Sequence, residues 1–261
     1  MSEGEGRPAR KVVLIIGGAR GIGRGIVERC AAEGARVAIA DISLERDPLA
    51  ARLAGEDDGA LALPLDVRNS ADHERAVART LEYFGRLDGM VYCAGIFPRA
   101  TLLETDEALW HQVIDTNLTG AFLACRAVIP HMVAQGGGAI VTIGSLHAAA
   151  GSRNLFAYAV SKGGLVTMTR NLAAAHARDR IRVNCVHPGW VLSEGELAIR
   201  GLVAGQADQF AEQIGDDMPL GRLQTPEDIA HTVAFLLSDN ALQITGQVIA
   251  VDGGLGGRAF A

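Results

Sequence analysis

Seven short apolar runs rich in valine and isoleucine recur along the chain, at 11–16, 36–40, 60–65, 87–93, 139–143, 181–186 and 247–251. None alternates strictly between apolar and polar residues. Runs of this kind read as strands covered on both faces, the condition of a parallel sheet. Between them lie longer amphipathic stretches with helical spacing, near 21–33, 44–54, 70–84, 105–134, 156–178 and 226–238. The sharpest helix start is Thr225-Pro226-Glu227-Asp228, with a hydroxyl cap, proline in the first turn and acids facing the positive end of the dipole.

Strand and helix alternate throughout. That predicts an α/β fold: a single Rossmann-like, doubly wound domain with a seven-stranded parallel sheet and helices on both faces. Residues 11–261 form the domain in this reading, after a polar, flexible lead-in at 1–10. Residues 192–218 break the rhythm and are expected to be a mobile substrate-loop excursion. In such a sheet, ligands bind outside the carboxyl ends of the strands. The residues that close the runs, Gly17, Asp41, Asp66, Gly95, Ser145 and Pro188, should therefore converge on one edge.

Composition narrows the possibilities. About half of the 261 residues are hydrophobic, enough for a core without disulfides or metals. The net charge of −6 argues against nucleic acid or an anionic membrane as a main partner. No apolar stretch is long enough to span a bilayer, and the first ten residues lack a signal core. Cys30, Cys93, Cys125 and Cys185 are widely spaced, and the seven histidines show no metal-ligand spacing. A cytoplasmic protein with no bound metal is expected.

Chemistry concentrates at two places. The first run opens into Gly17-Gly18-Ala19-Arg20-Gly21-Ile22-Gly23 and then a helix. Glycines there let the backbone approach a pyrophosphate held on the helix N-terminus. By itself this turn is weak evidence. Asp41, at the end of the second run, adds weight: it suits the hydroxyls of an adenosine ribose, although a solvated loop acid reads the same way. It would repel a 2′-phosphate, and Ile42 follows it where a base would suit one. NAD is thus the expected cofactor over NADP, with Arg20 and Arg46 as the residues that could reach a phosphate. Asp66 suits either an adenine amino group or a helix cap.

Tyr158 and Lys162 stand one helical turn apart and share a face. A nearby ammonium would lower the phenol below its usual value near ~10, so Tyr158 could act as general acid or base. Tyr-x-x-x-Lys is common by chance. Ser145, closing a strand 13 residues earlier, offers a hydroxyl to polarise a carbonyl. Asn117, in the middle of a helix that asparagine disfavours, points to a buried water or a kinked turn.

In these features the chain resembles the short-chain dehydrogenase/reductase family, in its ordinary-length branch, over about residues 10–254. The motifs are Gly17-x-x-x-Gly21-Ile22-Gly23, Asp66-Val67, Ala94-Gly95, Asn117, Ser145, Tyr158-x-x-x-Lys162, Asn184, Pro188-Gly189 and Asp252-Gly253-Gly254. The resemblance implies that Tyr158 exchanges a proton with the alcohol or carbonyl oxygen and Ser145 holds that oxygen. It implies that Lys162 bonds the nicotinamide ribose and that Asn117 anchors a water linking Lys162 to solvent. Val191 and Ser193 would hold the carboxamide. Cofactor contacts would also come from Gly17, Arg20, Gly21, Ile22, Gly23, Asp41, Ile42, Asp66, Val67, Cys93, Ala94, Gly95, Pro188 and Gly189. A homotetramer packed through 105–134 and 156–178 is implied too.

Three departures stand out. Ile16 replaces a threonine before the first motif glycine, Cys93 replaces an asparagine, and Gly144 replaces a common second serine. None touches the proton-transfer set.

The expected activity is NAD(H)-linked interconversion of a secondary alcohol and its ketone. The substrate would be a polyol, sugar, hydroxy acid or cyclic alcohol, with no nucleic acid or membrane as partner. Phe97, His147, Asn154, Trp190 and Leu192 are candidates to line its pocket. Trp190 and His147 could as well be loop residues packed on the core or half exposed. The alternatives are an NADPH-dependent 3-oxoacyl-carrier-protein reductase, against which Asp41 argues, and a non-catalytic dinucleotide sensor or scaffold.

Overall fold

The computed structural model describes residues 11–44 and 59–258. The strands are β1 (Val12–Ile16), β2 (Arg36–Asp41), β3 (Ala60–Pro64), β4 (Gly89–Tyr92), β5 (Gly138–Ile143), β6 (Ile181–Pro188) and β7 (Val248–Val251). They form one seven-stranded sheet in the order β3-β2-β1-β4-β5-β6-β7, with every pairing parallel. The Rossmann-like α/β reading holds. The lead-in at 1–10, the helix expected near 44–54 and Arg46 lie outside the described residues.

The continuous apolar runs have their cause in the two cores. Val13 and Ile15 of β1 face one layer, with Ile26, Val27 and Cys30 of α1 (Gly21–Ala32) and Ile229 and Val233 of α6 (Pro226–Leu237). Val12, Leu14 and Ile16 face the other, with Val77 of α2 (Ser70–Phe84), Val128 and Met132 of α4 (Gly120–Gln135) and Leu165 of α5 (Phe156–His176). Burying each such side chain contributes about 1.5–3 kcal/mol. With both faces covered, most strand positions are apolar, and the buried Thr142, Arg182 and Asn184 each hold a hydrogen-bond partner.

Helix ends follow local chemistry. Thr225 caps α6 in a full capping box with Asp228 and with Pro226 in the first turn. Asn69, not Asp66, caps α2.

The helix expected over 105–134 is broken. α3 (Glu107–Ile114) runs into a π-helical turn at Asp115–Thr119 before α4 begins. Within that turn the fully buried Asn117 bonds groups outside its own helix, the kind of insertion that widens a turn.

The stretch at 192–218, expected to be a mobile substrate-loop excursion, is largely helical. It carries short helices at Glu194–Ile199 and Ala207–Gly215, the first capped by Ser193.

Strand order reverses between β1 and β4, which opens a crevice at the carboxyl edge of the sheet. Asp41, Asp66, Ser145 and Pro188 all border it.

Candidate active site

The crevice is a cleft of about 1050 Å³. Its floor is the turn after β1. Gly17 has a φ of +83°, and a side chain there would press to within 2.4 Å of the Ala94 nitrogen. Gly17 donates its N–H to the Ala40 carbonyl at 2.7 Å, tying the turn to β2. Gly21 also has a positive φ, and only Ser193 lies near the place a Cβ would occupy. The N-terminus of α1 has no side-chain cap, which leaves free N–H groups facing the cleft. Gly23 does not line it. A Cβ at Gly23 would stand 1.9 Å from the Gly17 carbonyl oxygen, so that glycine serves the packing of turn on helix.

Asp41 reaches back over the same turn. One carboxylate oxygen accepts the Ala19 N–H at 3.2 Å, and the other accepts the Ser43 N–H and hydroxyl at 3.0 and 2.8 Å. Ile42 beside it is largely exposed. Asp66 is held by Arg68 through two guanidinium bonds of 2.9 and 2.6 Å, and this pairing lowers its carboxyl below the usual value. Arg20, Ile22, Val67, Cys93, Ala94, Gly95, Pro188, Gly189, Val191 and Ser193 also line the cleft. Burial pushes the Cys93 thiol up to about 12, so it stays neutral.

On the opposite wall, Ser145, Tyr158 and Lys162 come together. The start of α5 is fixed by a bridge between Ala100 and Leu155, in which the Ala100 N–H donates to the Asn154 carbonyl at 2.9 Å. That sets the helical face on which Tyr158 and Lys162 lie. Ser145 and Tyr158 line the cleft together, and the Ser145 hydroxyl favours the ionised phenol. Lys162 is buried and donates to the Ile143 carbonyl at 2.7 Å, with its nitrogen 5.6 Å from the centre of the Tyr158 ring.

The sequence leads to a phenol lowered by its lysine. In the protein alone the direction is opposite. Burial raises the Tyr158 phenol and outweighs the lowering by Ser145, while burial lowers Lys162. The Lys162 nitrogen is spent on a backbone carbonyl rather than on the phenol oxygen.

Asn117 stands behind this wall. Its amide oxygen accepts the Ile96 N–H at 2.8 Å, and its nitrogen donates to the Ile96 carbonyl at 2.9 Å and to Ser161 Oγ at 3.0 Å. Asn117 and Lys162 flank Gly95, whose missing Cβ would lie 3.3 and 3.4 Å from their polar atoms. The kinked turn of the sequence reading is present.

Of the substrate candidates, Phe97, His147 and Trp190 line the cleft. Phe97 and His147 pack 6.0 and 6.4 Å from the Tyr158 ring, centre to centre. Asn154 and Leu192 do not line it. Asn154 is exposed, and the Leu192 N–H is taken by the Gln224 carbonyl. Sequence reasoning missed Arg99, Glu196 and Arg200, which also line the cleft. The four-residue spacing of Glu196 and Arg200 was a readable signal; nothing local marked Arg99.

The geometry is that of a dinucleotide turn facing a Ser–Tyr–Lys wall, and comparison with known proteins agrees. A family model described as enoyl-(acyl carrier protein) reductase matches residues 17–256. The chain belongs to the short-chain dehydrogenase/reductase family. It is 37% identical over 247 residues to cis-4-hydroxycyclohexanecarboxylate dehydrogenase of Sinomonas cyclohexanicum, covering 94% of this chain and 96% of that one. Its fold matches the crystal structure of levodione reductase with a TM-score of 0.87 and 34% identity, over 95% of this chain and 98% of that one. It also matches 3-ketoacyl-(acyl-carrier-protein) reductase from Brucella melitensis complexed with NADH. There the TM-score is 0.84 and the identity 32%, over 95% and 99% of the two chains. The protein is thus a short-chain oxidoreductase of the class acting on CH–OH groups, in a family that binds a nicotinamide dinucleotide. Among the described residues no helix is long and apolar enough to cross a membrane.

Proposed function

We propose that this chain is an NAD(H)-dependent oxidoreductase that interconverts a secondary alcohol and its ketone by direct hydride transfer, with Tyr158 as general acid and base. The observation that carries the reading is Ser145, Tyr158 and Lys162 brought together in the wall of a cleft whose floor is the Gly17 turn and Asp41.

The residues present fit a dinucleotide. The uncapped N-terminus of α1 and the open face of Gly21 suit a pyrophosphate beside Arg20 and Ile22. Asp41 would accept the adenosine ribose hydroxyls and repel a 2′-phosphate. Asp66 and Val67 would border the adenine, Ala94-Gly95 the backbone side, and Val191 and Ser193 the carboxamide. When bound, the nicotinamide supplies the hydride acceptor or donor.

Ser145 then holds the substrate oxygen. In oxidation Tyr158, deprotonated, takes the hydroxyl proton; in reduction it returns that proton to the carbonyl oxygen. Lys162, and the positive charge of the oxidised cofactor, would bring the phenol down from its raised value. Asn117 holds Ile96 and Ser161 in place on either side of Lys162.

A cyclic substrate is favoured by the relative that acts on a hydroxycyclohexane ring and by the aromatic wall of Phe97 and Trp190. An acyl-carrier-protein reductase using NADPH is the second reading, favoured by the similar 3-ketoacyl reductase; Asp41 opposes its cofactor. We also propose a cytoplasmic homotetramer, for which Phe122 and Val133 on α4 and Val160 on α5 offer exposed apolar contacts. A stable monomer in sedimentation would contradict that assembly.

The test of the cofactor assignment is kcat/KM for NAD against NADP in wild type and in Asp41→Ala. Wild type should prefer NAD, and the variant should lose about 10- to 100-fold of that preference. A wild-type preference for NADP overturns it.

A further inference from the structure

Among the residues that line the cleft, two guanidinium groups share one carboxylate. Glu196 is buried, and one of its oxygens accepts Arg200 Nε at 2.6 Å and Trp190 Nε1 at 3.0 Å. Arg200 is further fixed, with its guanidinium 4.8 Å from the centres of both Trp190 and Phe210. The charge of Glu196 is therefore spent on a clamped partner. Arg99 approaches the same oxygen only to 3.9 Å, and its side chain is 46% exposed. Glu196 thus faces two guanidinium groups, which leaves the group with one net positive charge in a chain of net charge −6.

That charge lies near the reacting end of the cleft. Phe97, two residues before Arg99, packs on Tyr158 and reaches within 3.6 Å of the Cβ place at Gly195, next to Glu196. One aromatic ring thus spans the distance from the phenol to the Glu196–Arg99 group. Other cations of the cleft have different occupations: Arg68 is paired with Asp66, Lys162 is bound to a carbonyl, and Arg20 borders the glycine turn.

We propose that Arg99 binds an anionic substituent, a carboxylate, on a ring alcohol or ring ketone whose carbinol end meets Tyr158. A guanidinium takes a carboxylate through two parallel bonds, which orients the ring as well as holding it. Glu196 serves this site by fixing Arg200 and Trp190 as its wall without neutralising Arg99. The inference rests on the alcohol–ketone reading above and narrows its substrate class.

The test compares 4-hydroxycyclohexanecarboxylate, both isomers, with the methyl esters and with cyclohexanol, using NAD. The measured quantity is the ratio of kcat/KM for acid over ester. Wild type should favour the acid by about 10- to 100-fold, the range of a charge-assisted bond. Arg99→Gln should bring the ratio close to one, mainly through KM, and Arg99→Lys should restore part of it. An acid-to-ester ratio near one in wild type, or an undiminished ratio in Arg99→Gln, overturns the role of Arg99 while turnover of neutral alcohols leaves the parent reading standing. No turnover of any panel member with NAD or NADP overturns the alcohol–ketone reading, and this inference with it.

Discussion

Lys162 donates its side-chain nitrogen to the main-chain carbonyl of Ile143 at 2.7 Å. The bond pins a buried amine at the end of β5, one helical turn from Tyr158 and 5.6 Å from the centre of its ring. With that bond made, the amine is left to act on the phenol through its field when the site is charged, while burial raises the phenol.

The pH dependence of the reaction follows from this arrangement. Oxidation needs the deprotonated phenol, so its kcat/KM should rise with pH along a limb set by Tyr158. Reduction needs the protonated phenol and should fall over the same limb. Lys162→Met removes the opposing positive charge and should move the limb up by about one unit or more. An unmoved limb in Lys162→Met contradicts the electrostatic role.

Asn117 should matter for stability as well as rate. Asn117→Ala leaves the part-buried Ile96 N–H and carbonyl without their side-chain partner. Each such group costs about 1–3 kcal/mol when unpaired, so a loss of about 2–4 kcal/mol is expected. For a chain of this size that lowers Tm by roughly 5–15 °C. A wild-type Tm in Asn117→Ala would show that the π-helical turn does not depend on this side chain.

His187 gives the fold an acid sensitivity. Its ring is buried, its Nε2 has no hydrogen-bond partner, and burial together with Lys162 pushes its value down to about 4 from 6.5. The folded state holds the neutral ring, so this stability is complete above pH 6.5 and is lost as pH falls towards 4. The loss is on the order of 3 kcal/mol. The ring fills the space opened by Gly144, where a Cβ would come within 2.3 Å of it. His187→Asn should flatten the fall of Tm between pH 6.5 and 4. His73, also lowered by burial, remains in both proteins and cancels in the comparison. Parallel curves would contradict the assignment.

The fold was legible because a sheet covered on both faces leaves uninterrupted apolar runs, and each of the seven predicted runs overlaps a strand. The break at Asp115–Thr119 was legible only as a misplaced asparagine, because it depends on Ile96 and Ser161, which the chain brings to Asn117 from 21 and 44 residues away. The glycine turn and the Ser–Tyr–Lys wall were readable because strand ends must converge on one edge. Arg99 was not, since its meaning depends on how completely Arg200 occupies Glu196. The direction of the Tyr158 shift was missed for a similar reason: spacing gives the neighbour, but burial is a property of the whole fold.

The most direct test of the account is NADH formation by wild type and by Tyr158→Phe over a panel of secondary alcohols, with NAD binding measured on both proteins. The account predicts turnover in wild type, a loss of about 10²- to 10⁴-fold in Tyr158→Phe, and NAD affinity within a few-fold in the two. Turnover in Tyr158→Phe at the wild-type rate would contradict it.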